Sequence, residues 1–218
     1  MMIRSRGFSA AFKAVLALSA WAGMALQFGV FSGQPDFSSI RYYTLLSNLL
    51  VALYFSVAAV FALRGRATPL PVFKGALIMG ITVTGLVYHL MLSGGFTMGG
   101  TEALANQLLH TVTPIGAVLD WLLFDEKGRY DWRAPFRWVL LPDAYFVLVT
   151  LYGFLSGGRF HDGSRFPYFF IDFDQQGVGG VLLYVLALNV GFLALGYAFV
   201  AVDRWLSKKK APAAVAEE

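Results

Sequence analysis

Six long apolar runs decide what this chain can fold into. They cover residues 14–31, 42–63, 75–92, 104–124, 138–155 and 178–202, each 18 to 25 residues long. A helix of about 20 apolar residues crosses a hydrocarbon core of about 30 Å. Backbone groups in lipid must be satisfied within the segment itself, which a helix achieves. The segments between the runs, among them "SGQPDFSS", "RGRATPLP" and "SGGRFHDGSRFP", carry the Gly, Pro and charge of turns. The runs predict an all-α fold, an integral membrane bundle of six transmembrane helices making one domain over residues 1–206. Residues 207–218 are expected to form a basic, then disordered, cytoplasmic tail. The first run could instead be a secretory signal, since Arg4, Arg6 and Lys13 precede it and Ala20-Trp21-Ala22 resembles a cleavage site. Its continuation to Phe31 favours a retained span.

The charges orient the bundle. Of the 17 Lys and Arg residues, 14 fall at the two termini and in the second and fourth loops, and three (Arg41, Arg159, Arg165) fall on the other side. The positive-inside rule then places both termini in the cytoplasm, and the expected location is a bacterial inner membrane. The net charge of +4 thus reports topology and implies no nucleic-acid partner. The basic tail is expected to touch anionic lipid. Trp121, Trp132, Trp138 and Trp205 read as an interfacial belt. Charged residues make up only 14% of the chain, against about 25% in soluble domains. The absence of cysteine excludes disulfides, thiol nucleophiles and Cys-ligated metals.

Against this apolar background the polar residues gather at one depth. In "RYYTLLSNLLVALYF" the spacing of Arg41, Thr44, Ser47 and Asn48 puts all four on one helix face, in the outer half of the second span. His89 is expected near the outer end of the third span and His110 one to two turns inside the fourth, with His161, Asp162, Asp172 and Asp174 in the outer fifth loop. In "NQLLHTVTPIGAVLDW", Pro114 deprives the His110 carbonyl of its usual donor and should loosen the helix at the histidine. Each residue also has a plain reading. Thr44 could bond its own i−4 carbonyl, a lone histidine could bond a neighbouring helix, and Arg41 could snorkel to the headgroups. Asp120 could be solvated at the inner interface or paired with Arg137 or Lys127. Convergence of a hydroxyl, two histidines and a guanidinium at one depth favours function.

A hydroxyl beside a histidine is the minimum for nucleophilic acyl transfer, and Arg41 or Asn48 could stabilise the oxyanion or bind a substrate carboxylate. No Gly-x-Ser-x-Gly elbow occurs, which excludes an α/β-hydrolase. Two other classes fit the same residues. His89 and His110 could be the axial ligands of a haem in a b-type electron carrier. His89, His110 and Asp120 could line a proton or small-solute path.

"IRYYTLLSNLLVALYF" resembles the "K-Y-L-T…L" second-span segment of the androgen-induced membrane hydrolases, the family that includes the androgen-dependent TFPI-regulating proteins. "NQLLHTVTPI" resembles their "N-H-x-x-H-T-x-x-x-P" segment, and "SRFPYFFID" their "Y-P" motif before the last span. Bacterial six-span proteins of unassigned role share the layout. The resemblance implies a six-span membrane hydrolase of lipid esters, of the kind that cleaves fatty acid esters of hydroxy fatty acids, with no metal and no cofactor. It implies Thr44 as nucleophile and His110 as general base. Arg41, Asn48, His89 and Asp172 are the expected substrate-binding residues, with Asp172 and Asp174 as candidates for a third catalytic member. The chain departs from the family pattern at Arg41, where the family has Lys, at Gln107, where it has the first His, and at Phe166, where it has Tyr.

Overall fold

The computed structural model describes residues 5–95, 99–160 and 162–208. The fold is an all-α membrane bundle, 80% helical and without strands among the described residues. Among the described residues, six helices are long and apolar enough to cross a membrane: α1 (Arg6–Gln27), α2 (Tyr43–Leu63), α3 (Pro71–Leu92), α4 (Gly100–Phe124), α5 (Ala134–Leu155) and α6 (Phe173–Lys208). They alternate in direction. One end of the bundle, the terminal end, therefore holds the start of α1 and the finish of α6, and the opposite end holds the first turn of α2.

Several helices outrun the apolar runs, because capping chemistry sets their ends and hydropathy does not. Ser5 caps α1 by accepting the Phe8 N–H at 3.4 Å, so the helix begins at Arg6 and Lys13 lies within it. Pro71 at the first position starts α3 ahead of the apolar run, so Lys74 also lies inside a helix. Gly29, at φ 65°, turns the chain after α1 and leaves 28–31 outside the helix. α6 begins at Phe173, with Gly177 at φ 63° setting off its first turn, and runs to Lys208. Residues 207 and 208 are thus helix; the rest of the expected tail, like His161, lies outside the described residues.

Lys13 and Lys74 are not loop charges. Lys13 Nζ lies 2.7 Å from Asp120 Oδ1, and Lys74 Nζ lies 2.5 Å from Asp120 Oδ2 and 2.7 Å from Asp125. Thr68 donates to Asp125 at 3.2 Å and Ser9 Oγ meets Lys13 at 3.0 Å. The four charged side chains are at most 9% exposed and balance to zero. Asp120 therefore pairs across the bundle with lysines of α1 and α3. It meets neither Arg137, which binds Asp131, nor Lys127, whose ammonium caps the carbonyls of Trp121 and Asp125. Burying such a set costs desolvation, which close pairing offsets.

The tryptophans also divide. Trp132 and Trp205 are exposed, as a belt requires, but Trp121 and Trp138 are core residues at 2% and 1% exposure. They pack with Tyr130, Phe55 and Ile78 in the main cluster between α2, α3 and α4. Trp138 reaches the Val72 carbonyl with its indole N–H at 3.2 Å, which satisfies the polar edge that an interfacial position would have left to water.

Candidate active site

The site lies at the end opposite the charge network and is built on irregular helix. A 3₁₀ turn, Ser38–Arg41, leads into Tyr42, which is extended (φ −76°, ψ 143°), and α2 starts at Tyr43. Thr44 is thus in the first helical turn, where backbone N–H groups have no intrahelical partner. Across from it, α4 widens into a π turn at Leu108–Val112, with the Thr113 N–H bonded five residues back to Leu108. Pro114 explains the widening. The next bond in that series would need its missing N–H, and the Leu109 carbonyl takes Asn48 Nδ2 instead at 3.2 Å. The His110 carbonyl faces Gly85 of α3, where a Cβ would come within 2.9 Å of it. The expected loosening at His110 is present, in the form of π geometry, a feature common at functional sites.

This local geometry brings Thr44 and His110 together. Thr44 Oγ1 lies 3.1 Å from His110 Nε2, and His110 Nδ1 lies 3.2 Å from the Asn106 carbonyl. A carbonyl only accepts, so Nδ1 carries the proton and Nε2 offers its lone pair to the hydroxyl. The Tyr88 ring stacks on the imidazole at 4.1 Å and 26°, and Asn106 Nδ2 donates to the Tyr88 hydroxyl at 2.6 Å. Asn106 thus holds the imidazole with its main chain and the ring above it with its side chain. Asn48 Nδ2 also donates to the Thr44 carbonyl at 2.8 Å, tying the turn that carries Thr44 to α4. Ser47, on the same face, bonds Thr84 at 2.8 Å.

A third segment closes over the pair. The Tyr168 hydroxyl accepts the Tyr43 N–H at 3.0 Å, next to Thr44, and both side chains line one chamber. Burial pushes the Tyr168 phenol up to about 12, so it keeps its proton at neutral pH. Beside Thr44 opens an apolar chamber of about 80 Å³, walled by Tyr145, Phe146, Phe170, Leu188 and Phe192. Toward the middle of the bundle it meets Asp143, whose Oδ1 accepts Asn189 Nδ2 at 3.0 Å.

The other expected residues are placed differently. Arg41 spends Nε on the Ser38 carbonyl (2.9 Å), one Nη on the Tyr152 hydroxyl and the other on the Arg159 carbonyl (3.2 Å), with its guanidinium against the Tyr152 and Phe160 rings. It braces α2 against α5 and the following loop. Asp172 is buried and accepts the N–H groups of Asp174 and Gln175 at 2.9 and 3.3 Å, an N-cap for α6. Asp174 pairs with Arg165. Neither acid touches His110 among the described contacts; the carbonyl of Asn106 occupies the orienting position. His89 is exposed, in its own π turn Tyr88–Leu92, and its Nε2 lies 3.1 Å from Thr111 Oγ1. An axial haem pair would need both imidazoles to leave their hydroxyl partners.

Sequence reasoning passed over Tyr88, Asn106, Tyr168, Asp143 and Asn189. The signals were present for three of them, Asn106, Asp143 and Asn189, since polar groups inside apolar spans mark function by default. The fold and site together define a six-helix membrane bundle with a threonine–histidine pair near one end. Comparison with protein-family models, with curated proteins and with solved structures returned no match to this chain.

Proposed function

We propose that this protein is an intramembrane threonine-type hydrolase of lipid esters, in the manner of the androgen-induced membrane hydrolases, with the terminal end of the bundle in the cytoplasm of a bacterial inner membrane. The carrying observation is the chain of contacts from Thr44 Oγ1 to His110 Nε2 and from His110 Nδ1 to the Asn106 carbonyl. It has the three parts of an activated nucleophile: hydroxyl, base, and a group that orients the base.

In this reading the chamber beside Thr44 takes the acyl chain and sets the ester carbonyl at the hydroxyl. His110 Nε2 accepts the Thr44 proton as Oγ1 bonds to the carbonyl carbon. In this reading the oxyanion meets the Thr44 N–H, which has no intrahelical partner in the first turn of α2, and the O–H of Tyr168. Collapse breaks the ester C–O bond, and His110 returns the proton to the departing alkoxide, leaving an acyl-threonine. Water then gives a proton to His110 and adds its oxygen to the acyl carbon. Release of the carboxylic acid restores the Thr44 hydroxyl.

The test is covalent capture. A fluorophosphonate probe should label purified wild-type protein at Thr44, and Thr44→Ala should not be labelled. Labelling of Thr44→Ala at the wild-type rate overturns the assignment.

A further inference from the structure

The terminal end of the bundle holds a second hollow, unconnected with Thr44 and His110. It is a cleft of about 430 Å³ between the first turns of α1, the end of α2 with the loop after it, and the segment after α4. Three guanidiniums from these three segments ring it: Arg6, Arg66 and Arg129. Lys13, only 3% exposed, borders it from within.

Two of the guanidiniums are held in place without a carboxylate. Arg6 lies flat over Gly65, where a Cβ would come within 2.7 Å of its Cζ, and Gly65 has φ +64°. Any side chain there would both strain the backbone and displace the guanidinium. Arg66 rests on the Phe61 ring at 5.9 Å. The acids of the cleft are engaged elsewhere, Asp125 by Lys74 and Thr68, and Glu126 by Arg129. Arg6 and Arg66 have no carboxylate partner among the described residues, and a pre-positioned, unpaired guanidinium pair is a phosphate receptor. The hydroxyls of Ser5 and Ser9 stand beside them, and the walls running into the bundle are apolar, formed by Ala58, Phe61 and Phe124.

We propose that this cleft binds an anionic membrane phospholipid, with Arg6 and Arg66 gripping the phosphate and the apolar walls receiving the glycerol end of the chains. A phosphate oxyanion satisfies the guanidiniums, and the apolar walls distinguish a lipid from a soluble phosphate. Basic pockets between transmembrane helices recognise headgroups in this way. The assignment stands whether or not Thr44 is a nucleophile.

The experiment titrates purified full-length protein with short-chain phosphatidylglycerol, phosphatidylcholine of the same chain length, glycerol phosphate and inorganic phosphate, read by native mass spectrometry and thermal shift. Phosphatidylglycerol should bind at least tenfold tighter than the other three. Each arginine contributes about fivefold by the usual worth of a basic residue near anionic lipid, so Arg66→Gln should weaken phosphatidylglycerol about fivefold and the Arg6→Gln/Arg66→Gln pair about 25-fold. Arg204→Gln, at the same end but against Trp132 outside the cleft, should leave binding unchanged. The single variant carries the same expectation if the double variant fails to fold. Inorganic phosphate or phosphatidylcholine binding as tightly as phosphatidylglycerol overturns the proposal. So does an Arg204→Gln loss equal to that of Arg66→Gln, which would reduce the effect to a general field.

Discussion

Thr44 Oγ1 and His110 Nε2 lie 3.1 Å apart on different helices, and the imidazole's other nitrogen lies 3.2 Å from a main-chain carbonyl. Replacing either side chain by Ala should abolish ester hydrolysis and leave the melting temperature nearly unchanged, while Thr44→Ser should retain part of the rate. Residues that act as one unit are non-additive, so the double variant should be little worse than either single. Hydrolysis of a long-chain chromogenic ester in detergent is the measurement, and full activity in Thr44→Ala ends the mechanism.

Tyr168 is expected to serve the transition state. Loss of one oxyanion donor costs about 10²- to 10³-fold in kcat, so Tyr168→Phe should fall by that amount with KM little changed. Alkaline unfolding gives a second readout. The unfolded phenol ionises near about 10 and the folded one at about 12, so its contribution to stability is complete below pH 10 and lost as pH rises through 12. Tyr168→Phe should lack that part of the alkaline loss. A variant with wild-type kcat removes Tyr168 from the oxyanion site.

Tyr88 stacks on the imidazole and does not reach the hydroxyl directly. Tyr88→Ala should therefore lower kcat by roughly 10- to 100-fold through misorientation of the base. Tyr88→Phe keeps the stacked ring and should recover most of the rate, losing only the Asn106 bond of 2.6 Å. Equal damage from both variants would point to the hydroxyl and away from stacking.

Pro114→Ala restores an amide donor one turn after His110. The helix should relax toward ordinary α geometry, draw His110 away from Thr44 and cut kcat while raising the melting temperature. A rate unchanged from wild type would show that the π turn at Leu108–Val112 does not depend on the proline.

Lys74→Ala leaves Asp120 and Asp125 buried without their shared ammonium. Removing one partner of such a set costs about 3–5 kcal/mol, readable as a large drop in melting temperature. Lys74→Ala with Asp120→Asn should be less damaging than the single change, and if it is not, Lys74 stabilises by packing alone.

The six spans were legible from hydropathy over a helix length, and Thr44 and His110 were singled out by their common depth on two spans and by the resemblance to the membrane hydrolases. The depth argument also holds for Asn48, whose amide joins the two helices. The reading failed wherever the partner was remote. Lys13 and Lys74 sit at the edges of apolar runs and look like loop markers, and only the folded bundle supplies Asp120 as their reason to be buried. Arg41 has the spacing of a site residue but reaches outward to Tyr152 and Arg159, because a long side chain at a helix start can turn away from the face its Cα occupies. Tyr168 arrives from a loop with no periodicity, and its approach to the first turn of α2 is a tertiary fact with no local signature.

The four-charge set at the terminal end also bears on how the bundle is assembled. Its members come from three helices: Lys13 on α1, Lys74 on α3, and Asp120, with Asp125 just past it, on α4. A single helix carrying one of these charges into lipid is unstable there by several kcal/mol, and neutrality is reached only when all three have met. The first three spans bring two ammoniums, and the carboxylates that pair with them come only with α4 and the residue just past it. Docking of α4 against α1 and α3 is therefore also the step that neutralises the bundle. A copy in which α4 docks one turn out of register would carry bare charges inside the bilayer, a lesion that membrane quality-control proteases are equipped to find.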